Sequence, residues 1–290
     1  LPHELVNGVK LHYSDSGEGI PLVFIHPPLL TSANFQYQRV QLADEFRVIT
    51  FDIRGHGLSE ESESPISYAL IAEDIKQLLD RLGVEKAFVC GYSTGGTVAL
   101  KALLDHSDRF LGGILISAMS EASDPYLRGR IRLAIGLSRW KTAVRLLMLA
   151  ITWGNSDSKQ TYRNMMKLTE KGSTSNIHQY YRYSLNFNCT KELPRIKHPV
   201  LLLYGEKDWG FRRYRKLLMS RLPNASLVVL GQQKHQLPTK AADEMNEAIR
   251  QWVHLQGYPT SKSPGSGTND RIPEPFIIEG EATELHHPEA

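Results

Sequence analysis

A serine between two glycines, Gly91-Tyr92-Ser93-Thr94-Gly95, is the segment of this chain best placed to do chemistry. The apolar run Ala87–Cys90 precedes it, and a helical pattern from Thr94 to Leu104 follows. A sharp strand-to-helix turn forces its central residue into strained backbone geometry and lifts the side chain above a sheet. The flanking glycines let neighbouring backbone pass without a Cβ clash, and Gly96 lets the helix lie close to the strand. Ser93 would stand at a helix N-terminus, where N–H groups and the dipole favour a nearby anion. These are the needs of a nucleophile. A serine hydroxyl is scarcely ionised near neutral pH, so it also needs a base, and 11 histidines compete for that role.

The elements that must position such a turn are legible. Short runs apolar on both faces occur at Pro21–Ile25, Phe46–Phe51, Ala87–Cys90, Leu111–Ile116, Val200–Tyr204 and Leu227–Leu230. Parallel strands covered by helices on each side have this character. Before them, the stretch from Glu4 to Tyr13 reads as a hairpin turning at Asn7-Gly8. Ile71, Ile75, Leu78, Leu79 and Leu82 fall on one helical face with Gly83 as the stop, and a late helix is expected from Ala241 to Leu255. The alternation predicts an α/β fold with a mostly parallel central sheet and helices on both faces. From about Glu121 to Lys197 no strand pattern appears, which predicts an inserted helical lid. The expected division is therefore a core of residues 1–120 and 198–256, a lid of 121–197, and a flexible linker with an acidic tail over 257–290.

Composition excludes little beyond this. At 290 residues, with 41% hydrophobic and 22% charged residues, the chain has ordinary globular usage. No apolar run is long enough to span a bilayer. Leu1-Pro2-His3-Glu4 lacks a signal-peptide pattern, so a soluble cytoplasmic protein is expected, although the missing initiator Met leaves a trimmed leader open. Cys90 and Cys189 are too few for a disulfide framework, and no pairs stand at zinc-site spacing. A formal net charge of +3 gives no reason to expect a nucleic-acid partner.

With these landmarks the chain resembles the α/β-hydrolase superfamily, in its lidded esterase-like and cofactor-free haloperoxidase-like branch, from about Leu5 to Leu255. Besides the serine turn, the segment from Phe51 to Ser59, with Asp52, Arg54, Gly55 and Gly57, resembles the family's D-x-R-G-x-G loop. That loop is mainly structural, so His56 is expected to be scaffold. The resemblance implies His235, after the last strand in the loop from Gly231 to Pro238, as the base. It implies Asp208, in Tyr204-Gly205-Glu206-Lys207-Asp208-Trp209, as the acid that orients the base, with Glu206 and Glu121 as competitors. His106, His178, His198 and His254 are expected to face solvent, and His286 and His287 lie in the tail. No metal and no cofactor are expected.

The oxyanion hole departs from the family pattern. Thr94 supplies one N–H as the residue after the nucleophile. The second donor usually comes from an H-G-x segment, which here reads His26-Pro27-Pro28-Leu29-Leu30. Pro28, at the donor position, has no N–H to give. One donor is worth roughly 3–4 kcal/mol in kcat. Three readings stay open: a shifted loop that aims the Leu29 N–H inward, substitution by the Thr94 hydroxyl, or weak hydrolysis.

The expected activity is acyl-enzyme hydrolysis of a small-molecule carboxylic ester, with lactone or thioester behind it. Perhydrolysis and C–C bond hydrolysis use the same triad, and a ligand sensor with slow turnover is the rival from another class. The expected lid is basic, with Arg128, Arg130, Arg132, Arg139, Lys141 and Arg145 among its cations. These read as solvated helix faces or as a mouth for anionic substrates, a surface that the acidic tail could partly cover. Its apolar residues, Tyr126, Leu127, Leu133, Ile135, Leu146, Met148, Trp153, Tyr180, Tyr181 and Phe187, are expected as pocket walls or helix packing.

Overall fold

The computed structural model describes residues 2–258. The strands are β1 (His3–Val6), β2 (Val9–Ser16), β3 (Ile20–Ile25), β4 (Phe46–Phe51), β5 (Ala87–Tyr92), β6 (Phe110–Ile116), β7 (Val200–Gly205) and β8 (Ala225–Leu230). They form one sheet in the order β1-β2-β4-β3-β5-β6-β7-β8. β1 and β2 pair antiparallel, as do β2 and β4, and every later pairing is parallel. The hairpin turns at Asn7 and Gly8, both with positive φ (47° and 80°), as a two-residue turn of matching twist requires.

Among the described residues ten α-helices accompany the sheet: α1 (Gln36–Gln41), α2 (Tyr68–Arg81), α3 (Thr94–Asp105), α4 (Pro125–Leu137), α5 (Lys141–Gly154), α6 (Lys159–Thr169), α7 (Thr174–Asn186), α8 (Arg212–Arg221), α9 (Leu237–Lys240) and α10 (Ala242–Leu255). Side chains alternate between two cores because strand periodicity is two. Val23, Ile25, Val89, Leu202 and Tyr204 face one core with α2, α3 and α8. Leu22, Phe24, Phe88, Cys90, Leu201 and Leu203 face the other, closed by Met245, Ile249 and Trp252 of α10. Each fully buried side chain of this kind contributes roughly 1.5–3 kcal/mol. The two-sided burial explains why the strands read as continuous apolar runs.

Helix α2 shows how local sequence sets an end. Ser67 caps it by accepting the N–H of Leu70. Gly83 follows at φ +65°, and Val84 N–H bonds Leu79 O at 2.8 Å while Gly83 N–H bonds Asp80 O at 3.2 Å. This paired closure needs a left-handed residue, the position that favours glycine.

Between β6 and β7 lie α4 to α7 with no strand among them, only an isolated bridge between Glu121 and Asn188. That bridge and the Cys189 N–H to Ser120 O bond (3.1 Å) close the insertion at its base. α7 docks on the loop after β4, where the Ser173 N–H donates to Gly55 O and Asn176 Oδ1 accepts the Ser62 N–H. A Cβ on Gly55 would meet Asn176 Oδ1 at 2.2 Å, so this glycine makes room for the insertion. The expected acidic tail lies outside the described residues, apart from Gly257 and Tyr258.

Candidate active site

Ser93 is the hinge between β5 and α3, held at φ 55° and ψ −120°. Its N–H is bonded to Ile116 O on β6 at 2.8 Å, and Gly96 N–H bonds back to Ser93 O at 3.0 Å. A bulky L-residue avoids this conformation, so the surroundings must enforce it. They do so by close packing. A Cβ on Gly95 would lie 2.2 Å from Ile25 O, and one on Gly96 would lie 2.4 Å from the Ala118 Cβ.

His235 stands between β8 and α9 with Nε2 3.2 Å from Ser93 Oγ, and its Nδ1 lies 2.7 Å from Asp208 Oδ2. Asp208 is buried at the turn after β7. An ionised carboxylate only accepts, so the bond fixes the imidazole proton on Nδ1 and turns the Nε2 lone pair toward the serine. The two loops meet closely. Lys207 N–H donates to Gln233 O at 2.8 Å, and a Cβ on Gly205 would strike Lys234 O at 2.3 Å. Glu206 is turned away to accept the Gln232 N–H at 2.8 Å, and Glu121 is held by Asn188 and Thr190. Of the three carboxylates weighed from sequence, Asp208 alone reaches His235.

The remaining histidines of the described chain are occupied elsewhere. His106 pairs with Glu73, His178 with Ser138, His198 with Ser107 O and His254 with Glu45. His56 is buried against Arg54 O and the Tyr180 ring, with its pKa pushed down to about 3 by burial. No group of three or more metal-ligating side chains occurs among the described residues.

The His26–Leu30 segment has a definite geometry. Leu30 N–H bonds Pro27 O at 3.3 Å, with Leu29 at φ +62°. A four-residue turn with proline second and a positive φ third is of type II. Leu in that third place costs on the order of 1–2 kcal/mol. Burial of Leu29 and Leu30 offsets it. His26 Nε2 accepts the Ile53 N–H at 2.9 Å, so its proton lies on Nδ1 and is donated to Pro27 O at 2.9 Å. Burial lowers the His26 pKa and keeps it in this neutral form. The Leu29 N–H has no acceptor among the described residues. The Thr94 hydroxyl is buried beside the Tyr180 hydroxyl.

Several neighbours of the site were not singled out from sequence. The rings of Phe211 and Tyr92 lie 4.3 and 5.4 Å from the His235 ring and wall it in. The Tyr92 hydroxyl donates to Asn155 Oδ1 at 2.9 Å, which ties the end of α5 to the residue before Ser93. Tyr92 and Phe211 had one signal, since each stands within three residues of a site side chain. Asn155 had none.

The sequence profile of the alpha/beta hydrolase fold matches residues 20–238, most of the chain. The chain belongs to the alpha/beta hydrolase family. It is 29% identical over 259 residues to the AB hydrolase superfamily protein YisY of Bacillus subtilis, covering 84% of this chain and 95% of that protein. It is 28% identical over 257 residues to the human serine hydrolase BPHL, covering 86% and 84%. Among solved structures, a thermophilic esterase from Thermogutta terrifontis superposes with a TM-score of 0.76 at 22% identity, covering 88% of this chain and 98% of that one. The eight-stranded sheet is thus a hydrolase fold of the α/β type. No helix of the described residues is long and apolar enough to cross a membrane.

Proposed function

We propose that this hydrolase cleaves small-molecule carboxylic esters through an acyl-enzyme on Ser93. The observation that carries the reading is the continuous hydrogen-bonded chain from Ser93 Oγ through His235 to Asp208, at 3.2 and 2.7 Å. His235 Nε2 removes the hydroxyl proton as Oγ attacks the carbonyl carbon. The resulting imidazolium is stabilised by Asp208 and returns the proton to the leaving alkoxide. Water then gives a proton to Nε2 as its oxygen attacks the acyl carbon, and the imidazolium returns that proton to Ser93 Oγ as the Oγ–acyl bond breaks and the acid leaves.

The oxyanion needs two donors. Thr94 N–H, in the first turn of α3, has no intrahelical acceptor and serves as one. The Leu29 N–H serves as the other in this reading. The type II turn rotates the Pro28–Leu29 peptide so that the residue after the two prolines supplies what they lack. Support comes from the positive φ of Leu29, its unclaimed N–H and the His26 lock on Pro27. The four inserted helices act as the lid, with α5 seated beside Tyr92.

A panel of p-nitrophenyl esters of graded chain length tests this on the wild type and Ser93→Ala. Turnover that depends on Ser93 and varies with acyl length is expected. Equal rates for both proteins, or none across the panel, would overturn the ester assignment.

A further inference from the structure

The outer face of the α4–α5 pair is the most unusual surface of the described chain. Among the described residues nine large hydrophobic side chains are exposed, and five of them lie within residues 126–153: Tyr126, Leu133, Trp140, Leu146 and Trp153. Tyr126, Trp140 and Leu146 are 70%, 66% and 63% exposed, so they are neither pocket walls nor packing. On α4, positions 126, 130 and 133 share one stripe, while Ile131 and Ala134 turn inward. On α5, positions 142, 146 and 153 share another, while Val144 and Met148 are buried. Both stripes face solvent, and the exposed Trp140 stands in sequence between them.

The charge on this face has one sign. Residues 125–156 contain six cations, Arg128, Arg130, Arg132, Arg139, Lys141 and Arg145, and no acidic residue. Among the described residues Arg145 alone of the six is in an ion pair, with Glu170 at 3.8 Å, and the half-buried Arg128 donates to Ala122 O and Leu185 O. Beside it, an open groove of about 610 Å³ is lined by Arg139, Lys141, Thr174, Ser175 and His178, with Glu61 also at its wall. Amphipathic aromatic rings, exposed leucines and exposed cations on one helix pair are what an anionic lipid–water interface rewards. A second copy of the chain would set six cations against six, which like-charge repulsion opposes.

We propose that the outer face of α4 and α5 docks the protein on an anionic lipid surface, with the aromatic and leucine side chains at headgroup depth and the cations on lipid phosphates. Seating there would bring α5, and through Asn155 the catalytic wall at Tyr92, next to amphiphilic substrates. Docking itself needs no catalysis, so Ser93→Ala binds lipid as the wild type does, and failure of the ester reading leaves this proposal standing.

The test is flotation of the full chain with vesicles of equal phosphatidylglycerol and phosphatidylcholine, set against phosphatidylcholine alone. Binding to the anionic vesicles is expected, weakening with salt, with a blue shift and lipid-quencher sensitivity in tryptophan emission. The exposed triple change Arg130→Gln, Arg132→Gln, Lys141→Gln should weaken binding about 100-fold, at roughly fivefold per cation. Trp140→Ala with Trp153→Ala should abolish the quenching while leaving the melting temperature unchanged. No binding to anionic vesicles, or binding indifferent to both variants, overturns the proposal. A carbodiimide cross-link from Lys141 to Glu279 or Glu281 that persists with lipid present overturns it in favour of the acidic tail as occupant.

Discussion

His26 donates its Nδ1 proton to the carbonyl of Pro27 at 2.9 Å, and that same carbonyl closes the turn that contains Leu29. A buried neutral imidazole therefore sets the backbone that presents the Leu29 N–H, the second oxyanion donor we propose. His26→Ala would leave Ile53 N–H without its acceptor and Pro27 O without its ring donor. A fall in kcat of about 10- to 100-fold with little change in KM is expected, a fraction of the effect of losing a donor outright. Steady-state kinetics on a short-chain ester checks it, and a change confined to KM would show that the turn serves binding instead.

Asp208→Asn leaves the shape of the acid turn but reverses the hydrogen-bonding preference of His235. A loss of about 10³–10⁴ in kcat is expected, with a melting curve close to the wild type. Near-normal turnover would move the orienting role away from Asp208.

The Tyr214 hydroxyl on α8 accepts the N–H groups of Ser123 and Asp124 at 3.2 and 3.1 Å and donates to the Asp124 carboxylate. It thus pins the first turn of α4 to the helix that follows the acid turn. Tyr214→Phe keeps the ring but strands two donors, for about 1–3 kcal/mol of stability. Amide exchange at Leu127 and Arg128 should quicken more than in α2 or α3. Uniform exchange across all helices would contradict a local pin.

Buried neutral histidines make stability pH-dependent. Burial puts the folded pKa of His56 at about 3, below the ordinary value of 6.5. The unfolded chain therefore binds the extra proton between these values. Stability is full above pH 6.5 and is lost as the pH falls toward 3. Between pH 7.5 and 5 this one group should account for a fall of about 2 kcal/mol. His26, also lowered by burial, acts in the same direction. Urea unfolding of wild type and His56→Gln across this range checks it: the variant should show the shallower slope, and parallel slopes would contradict the assignment.

The sheet was legible because its strands are buried on both faces, so runs such as Val200–Tyr204 carry no polar interruption. The Ser93 turn was legible from its glycines, whose backbone contacts exclude any Cβ. The chain order also led to His235 and Asp208, and the structure brings those two together with Ser93. The Leu29 turn was only partly legible. Its two prolines announced a missing donor, but leucine rarely takes positive φ, and what holds it there is burial and a histidine bond. Tyr126, Leu133, Leu146 and Trp153, expected as pocket walls or packing, are exposed instead, for a different reason. Helical spacing gives stripes, and Tyr126, Arg130 and Leu133 form one as regular as any inward face. Which stripe is covered depends on what packs against it.

The central claim is that Ser93 carries the acyl group. Treatment with a fluorophosphonate, followed by intact-mass measurement and peptide mapping, tests it most directly. A single adduct on Ser93 is expected, absent in Ser93→Ala and much slower to form in His235→Ala. An adduct on another residue, or labelling of Ser93→Ala at the wild-type rate, would contradict the account.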